Sequence, residues 1–145
     1  MKENTGADRV NIKPRFYVLV VEDNPDVLDS LTLFVDALAD AQIFTASGFL
    51  GAAAVIEEQL RIDLILCDVV FREEMNGIDV AELAVKLHPN VAVVLFSAEQ
   101  QSDVEGLYGR YSFVRKPFGR DELNRHIDKA FLRLRPIDEQ LEADR

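Results

Sequence analysis

The clearest fold signal in the chain is LILCD at Leu64–Asp68, an apolar run closed by a carboxylate. A short run that is apolar throughout is typical of a strand that is covered on both faces of a sheet. Four more short runs flank it at intervals of roughly twenty residues, and they are Phe16–Val21, Gln42–Ala46, Val91–Phe96 and Tyr111–Val114. The second and fifth runs along the chain are more polar, as strands at the edges of a sheet tend to be. The sequence therefore predicts five strands.

Helical periodicity fills the gaps between these runs. Apolar residues recur at three- and four-residue steps in four segments, which are Val27–Leu38, Leu50–Ile56, Val80–Leu87 and Leu123–Leu134. Asn24 and Pro25 are typical of an N-cap and a first-turn proline at the start of the first helix. A weaker helix is predicted over Ala98–Gly109. This alternation predicts an α/β fold with a parallel five-stranded sheet, helices on both faces and the flavodoxin-like strand order 2-1-3-4-5.

Composition narrows the class of protein. The 145 residues fit one domain, which we place at 15–135 between tails at 1–14 and 136–145. A net charge of −10 argues against binding to nucleic acid. The longest apolar run has six residues, so no membrane span is expected, and no signal peptide is visible at the N-terminus. A single cysteine, Cys67, agrees with a reducing, cytoplasmic setting.

Chemically active side chains follow the predicted strands. Strand one is followed by Glu22 and Asp23, strand three by Asp68, strand four by Ser97, and strand five by Lys116 two residues on. Parallel strands end at one edge of a sheet, so these groups are expected to converge on one crevice. Taken singly, Asp23 and Ser97 would serve equally as helix caps, Asp68 as a turn residue and Lys116 as a solvated lysine.

The cluster as a whole suits phosphoryl transfer. Three adjacent carboxylates repel one another unless a cation joins them, and Mg²⁺ binds through one or two carboxylates together with phosphate. Two of the carboxylates could hold the metal while the third accepts a phosphoryl group as an acyl phosphate. The metal and a lysine would then neutralise charge on the phosphoryl oxygens.

These strand ends resemble the receiver domain of bacterial two-component response regulators. Four stretches carry the resemblance, and they are Val20–Asn24, Leu64–Asp68, Val94–Ala98 and Val114–Phe118. The resemblance covers about residues 16 to 134 and implies a phosphorylation switch rather than a classical enzyme. Its partners would be a sensor histidine kinase or histidine phosphotransfer protein and a downstream target. The target would dock on the fourth helix, fifth strand and fifth helix, and a homodimer is allowed.

The resemblance also implies residue roles. Asp68 would be the phosphoacceptor, and Glu22, Asp23, Asp68 and the carbonyl of Val70 would bind Mg²⁺. Ser97 and Lys116 would contact the phosphoryl group, and the Lys116–Pro117 bond would be cis. Ser97 would turn toward the phosphoryl group, and the rotamer of Phe113 would follow the phosphorylation state. Phe113 is equally explained as an ordinary residue of an edge strand. The family more often has aspartate at position 22, and the loop 69–76 and the segment between Ser97 and Lys116 also depart from its pattern.

Three other readings compete with a phosphorylated receiver. An aspartyl phosphatase similar to the haloacid dehalogenase family would need a second aspartate where Val70 stands, and a flavodoxin would need a phosphate-binding loop where Glu22 and Asp23 stand. A receiver-like interaction module that has lost phosphorylation remains the main alternative.

His88 and His126 lack partners at metal-ligand spacing, and Cys67 is expected to be a core residue. No output domain is expected after Pro136.

Overall fold

The computed structural model describes residues 16–38, 40–71, 74–98 and 111–132. The strands are β1 (Phe16–Val21), β2 (Ala41–Ala46), β3 (Leu64–Asp68), β4 (Ala92–Ser97) and β5 (Ser112–Arg115). The helices are α1 (Pro25–Leu38), α2 (Phe49–Glu58), α3 (Gly77–Leu87) and α4 (Arg120–Leu132). Three predicted features lie outside the described residues: all but the first residue of the helix over Ala98–Gly109, the tails at 1–14 and 136–145, and residues 72–73 of the loop 69–76.

The five strands form one parallel sheet in the order β2-β1-β3-β4-β5, which confirms the predicted fold class. The predicted limits of four strands were wrong by one residue, and β2 begins at Ala41 rather than Gln42. Strand β3 continues through Asp68, which pairs with Phe96, and β4 continues through Ser97, which pairs with Arg115. Strand β5 likewise begins and ends one residue later than predicted. Strands β3 and β4 can end in polar residues because the buried backbone N–H and C=O groups at these positions need hydrogen-bond partners in the sheet, whichever side chain they carry.

Apolar layers cover both faces of the sheet. In β1, Leu19 and Val21 face a core shared with α2 and α3, whereas Val18 and Val20 face a core shared with α1 and α4. Strands β3 and β4 are buried along their whole length. The continuous apolar runs in the sequence therefore arise because the central strands are buried on both faces.

The predicted cap of α1 is confirmed. Asn24 Oδ1 accepts hydrogen bonds from the N–H groups of Asp26 at 2.9 Å and Val27 at 3.3 Å, and the helix begins at Pro25. The cap role that was open for Asp23 thus belongs to its neighbour. In the described ranges, no helix is both long enough and apolar enough to cross a membrane.

Asp63 joins the starts of three strands. Its Oδ2 accepts the Tyr17 N–H at 2.8 Å, and its Oδ1 accepts Arg61 Nε at 2.9 Å. Its own N–H donates to the Tyr17 carbonyl at 2.7 Å, and its carbonyl accepts the Ala92 N–H at 2.9 Å. The side chain thus supplies a hydrogen bond where the β1–β3 ladder begins.

We expect Asp63→Ala to lower the free energy of unfolding by about 1–2 kcal/mol, because it leaves the half-buried Tyr17 N–H without its acceptor. Urea denaturation measures this loss. The control is Arg61→Ala, which removes an exposed partner of the same carboxylate and should cost less. Equal losses in the two variants would show that the ion pair, and not the Tyr17 hydrogen bond, is the stabilising contact.

Candidate functional site

A cavity of about 520 Å³ opens at the carboxyl edge of the sheet. Its lining residues are Glu22, Asp23, Asn24, Pro25, Val27, Ser47, Asp68, Phe71 and Lys116. The structure therefore brings together the three carboxylates and the lysine that the sequence predicted to converge. They meet because β1, β3, β4 and β5 are consecutive in the sheet and end at the same edge.

The three carboxylates form one compact group. One oxygen each from Glu22, Asp23 and Asp68 lies within 4.8 Å of the others. Glu22 is 1% exposed and Asp68 is 6% exposed, whereas Asp23 is half-buried. The Glu22 N–H donates to the Ala46 carbonyl at 3.0 Å, which ties its backbone to the end of β2. A set of carboxylate oxygens of this kind matches the ligands that Mg²⁺ prefers.

The Lys116 ammonium lies between two of these carboxylates. Its Nζ is 3.1 Å from Glu22 Oε1 and 3.5 Å from Asp68 Oδ2. The Lys116 N–H donates to the Ser97 carbonyl at 2.8 Å, and its Nζ is 5.3 Å from the centroid of the Phe96 ring. The Lys116 side chain is 27% exposed, so it is not a fully solvated surface lysine, which was the alternative when this residue was considered singly.

The backbone after Lys116 also follows the prediction. The Lys116–Pro117 peptide bond is cis. The next residue, Phe118, packs its ring 5.8 Å from the ring of Phe96 at the end of β4. The loop that carries the lysine is therefore packed against the strand beside it.

Asp68 has the most perturbed carboxyl group of the site. Burial is the main cause that raises the pKa of Asp68 to about 7, and the adjacent Glu22 carboxyl group raises it further. The Lys116 ammonium and the Val70 N–H act in the opposite direction on this pKa. Negative charges this close together in a buried site repel each other unless a cation joins them.

The N-terminus of α3 fixes the backbone next to Asp68. Asn76 caps this helix by accepting the Ile78 and Asp79 N–H groups, and the Asp79 side chain accepts the Asn76 N–H at 2.7 Å. The Gly77 N–H then donates to the Val69 carbonyl at 2.7 Å. The start of the helix is thus bonded to the residue that follows the buried aspartate.

Three predicted site residues lie outside the cavity lining. Ser97 is buried at the end of β4, and Phe113 is half-buried in β5 against the core under α2 and α3. Val70 is half-exposed, and its N–H is the backbone group that bonds Asp68. Contact of Ser97 with a phosphoryl group, rotation of Phe113 and ligation by the Val70 carbonyl therefore stay predictions.

Sequence reasoning missed two polar or aromatic lining residues. Ser47 follows β2, which lies next to β1 in the predicted strand order. Including the end of β2 among the strand ends would therefore have identified Ser47 as a lining residue. Phe71 lies three residues beyond Asp68 in the loop to α3, and no pattern singled it out.

The remaining candidates have structural contacts. Cys67 is buried in β3, and burial raises the pKa of its thiol well above the usual value, as suits a core residue. His88 follows α3, and its Nε2 lies 2.8 Å from the Ile56 carbonyl at the end of α2. His126 is half-buried in α4.

Comparison with known proteins agrees with the geometry. The model of the response regulator receiver domain matches residues 18–128. Transcriptional regulatory protein GlrR of Escherichia coli K12 and QseF of Escherichia coli O157:H7 are each 25% identical over 127 residues. The match covers 86% of this chain and 28% of those proteins, so the chain spans little more than a quarter of these curated relatives.

Solved structures show the same fold. A response regulator receiver protein from Sinorhizobium medicae has a TM-score of 0.74 at 17% identity, over 83% of this chain and 97% of that one. A CheY-like receiver domain protein from Methanospirillum hungatei has a TM-score of 0.68 at 24% identity, over 88% of this chain and 98% of that one. Since the family match runs from β1 into α4 and takes in every strand end that forms the acidic cavity, the chain belongs to the receiver domain family of two-component response regulators.

Proposed function

We propose that this receiver is a phosphorylation-dependent switch that accepts a phosphoryl group on Asp68 from a histidine kinase or histidine phosphotransfer protein. One observation carries the proposal: Asp68 lines an open cavity between an acidic pair and the ammonium of Lys116. We take residues 15–135 as the unit that performs this function, and the proposal is limited to that receiver.

The chemistry assigns a separate task to each residue. A carboxylate oxygen of ionised Asp68 attacks phosphorus, the P–N bond to the donor imidazole breaks, and its electron pair stays on the imidazole nitrogen. Lys116, 3.5 Å from Asp68 Oδ2, stabilises the negative charge on the phosphoryl oxygens. Glu22, Asp23 and the Val70 carbonyl would hold Mg²⁺ with Asp68, and the ion would supply further charge neutralisation. Attack of water on the acyl phosphate breaks the bond between the Asp68 oxygen and phosphorus, releases inorganic phosphate and restores the Asp68 carboxylate.

Signal output would follow from the added charge. A phosphoryl group beside Lys116 adds negative charge that Ser97 can contact through its hydroxyl, and Phe113 lies one strand further out in β5. We propose that this change reaches a face that includes β5 and α4. That face would contact a downstream protein or a second copy of the chain.

Phosphorylation by a small donor tests the proposal. The protein is incubated with acetyl phosphate and Mg²⁺, and intact mass reports the adduct. We expect one phosphoryl group that is removed by hydroxylamine, as an acyl phosphate should be, and no adduct in Asp68→Asn or in the presence of EDTA. The control Asp29→Asn changes an exposed carboxylate of α1 outside the cavity and should be phosphorylated like the wild type.

The outcome decides between the two main interpretations. An adduct that persists in Asp68→Asn would contradict the assigned acceptor. A folded wild-type protein that takes no phosphoryl group from acetyl phosphate or from a phosphohistidine donor would favour the phosphorylation-independent interaction module.

A further inference from the structure

The lysine of the site contacts Glu22 more closely than it contacts Asp68. The Nζ of Lys116 makes a hydrogen bond of 3.1 Å with Glu22 Oε1, while Asp68 Oδ2 is 3.5 Å away. The position of the ammonium in this structure is therefore set by two carboxylates, and the nearer of them is not the phosphoacceptor.

Glu22 itself is only half satisfied. Its Oε2 is buried and makes no hydrogen bond, and its Oε1 has Lys116 as its partner. A buried carboxylate oxygen without a partner is unfavourable unless a cation or a donor reaches it. Glu22 belongs to the group of three carboxylates that fits a cation, so the carboxylate that bonds the lysine through Oε1 is also one that a metal could bind.

The backbone of Glu22 restricts where its carboxylate can go. Its N–H is bonded to the Ala46 carbonyl at 3.0 Å, directly after β1. From that fixed point, the glutamate side chain reaches Lys116, whereas an aspartate would be shorter by one methylene. The less common residue at position 22 thus extends the carboxylate toward the ammonium.

We infer that Glu22 is a positioning residue for Lys116: it holds the ammonium through Oε1 in the metal-free domain, and a cation bound at the same carboxylate weakens that hold and leaves the lysine to Asp68. The inference rests on the proposed function and deepens it. Metal binding and the position of the phosphoryl-stabilising lysine are then coupled through one side chain. Because linkage is reciprocal, the lysine must also lower the affinity of the domain for the cation through Glu22.

Calorimetric titration with Mg²⁺ tests the reciprocal effect. Lys116→Met removes the ammonium and keeps much of the apolar stem, so we expect Mg²⁺ affinity to rise about fivefold, the effect of one nearby charge contact. The same substitution is then made in Glu22→Gln and in the matched control Asp23→Asn. We expect the rise to persist in the Asp23→Asn background and to shrink to less than about twofold in the Glu22→Gln background.

Equal rises in the two backgrounds would overturn the inference, because Lys116 would then oppose the cation only through its general charge. Circular dichroism checks that each variant is folded. If Glu22→Gln fails to fold, Glu22→Asp replaces it, since its shorter carboxylate should retain Mg²⁺ binding but also show the reduced Lys116→Met effect. A full-sized effect in that variant would likewise contradict the role of Glu22.

A second readout needs no metal. In EDTA, Lys116→Met leaves the Glu22 carboxylate without its partner, so we expect the melting temperature to fall by about 5 °C. In the Glu22→Gln background the fall should be less than half as large, and equal falls would contradict the pairing. Neither measurement uses phosphorylation, so a protein that shows the coupling but takes no phosphoryl group would refute the proposed function alone.

Discussion

Asp68→Asn is expected to raise the free energy of unfolding of the metal-free domain by about 3 kcal/mol at pH 8 and to change it little at pH 4. The reason is the buried carboxyl group, whose pKa rises to about 7, chiefly because of burial and then because of Glu22. An asparagine of similar shape cannot ionise. The substitution therefore removes the cost of holding a third negative charge in the cavity.

The sign of the pH dependence follows from proton binding. In the unfolded chain an aspartate has a pKa near 4, whereas in the folded domain Asp68 retains its proton up to about pH 7. Between these values the folded state binds more protons, so the contribution of this group to stability falls as pH rises and levels off above pH 7. The shift spans about three pKa units at about 1.36 kcal/mol each, which sets the upper limit near 4 kcal/mol.

Urea denaturation in EDTA at pH 4.5, 6 and 8 measures the effect. The difference between Asp68→Asn and the wild type should grow with pH and then become constant. The control Asp29→Asn alters an exposed carboxylate and should stay within about 0.5 kcal/mol of the wild type. A variant that loses stability at pH 8 would show that the contacts of Asp68 with Lys116 outweigh the cost of its burial.

Mg²⁺ gives an independent check on the same carboxyl group. A ligand that binds only the folded state stabilises it by an amount that grows with its concentration. Because a metal needs the ionised carboxylate, Mg²⁺ should stabilise the wild type more at pH 8 than at pH 5. Asp68→Asn should gain less at both pH values, since it lacks one of the three carboxylates.

The parts of this domain that follow from local pattern were predicted well. Continuous apolar runs identified β1, β3 and β4 because these strands are covered on both faces. Chirality and alternation left few possible strand orders, and the flavodoxin-like order chosen from them is the one observed. The strand order then predicted the cluster of Glu22, Asp23, Asp68 and Lys116, because residues that follow neighbouring parallel strands lie together at one edge of the sheet.

Features that depend on distances between side chains could not be predicted from the sequence. Residue types give no measure of whether Lys116 lies nearer to Glu22 or to Asp68, because a difference of 0.4 Å depends on packing around both. Ser47 was missed because the end of β2 was not considered together with the ends of the other four strands. Strand ends were off by one residue where Asp68 and Ser97 continue the ladder despite being polar.

Gly77 illustrates how a residue without a side chain shapes the site. A Cβ atom at this position would overlap the carbonyl oxygen of Asp68 and would lie 2.8 Å from the Cα of Val69. Both neighbours are backbone, so no side chain can rotate away to relieve the contact. The sequence predicted a helical segment that begins only at Val80, whereas the structure shows that α3 begins at Gly77 and packs directly on the strand end that carries Asp68.

We therefore expect Gly77→Ala to lower the free energy of unfolding by about 3 kcal/mol, since a buried methyl group forced against backbone must displace it. The displaced segment carries Asp68, so Mg²⁺ affinity should fall together with stability. The control is Gly119→Ala, whose Cβ would meet no atom within 4 Å and which should stay within about 0.5 kcal/mol of the wild type. Thermal unfolding and calorimetric titration measure the two quantities. If Gly77→Ala were as stable as Gly119→Ala, the close approach of α3 to the end of β3 would be wrong, and with it the account of how the backbone of Asp68 is held.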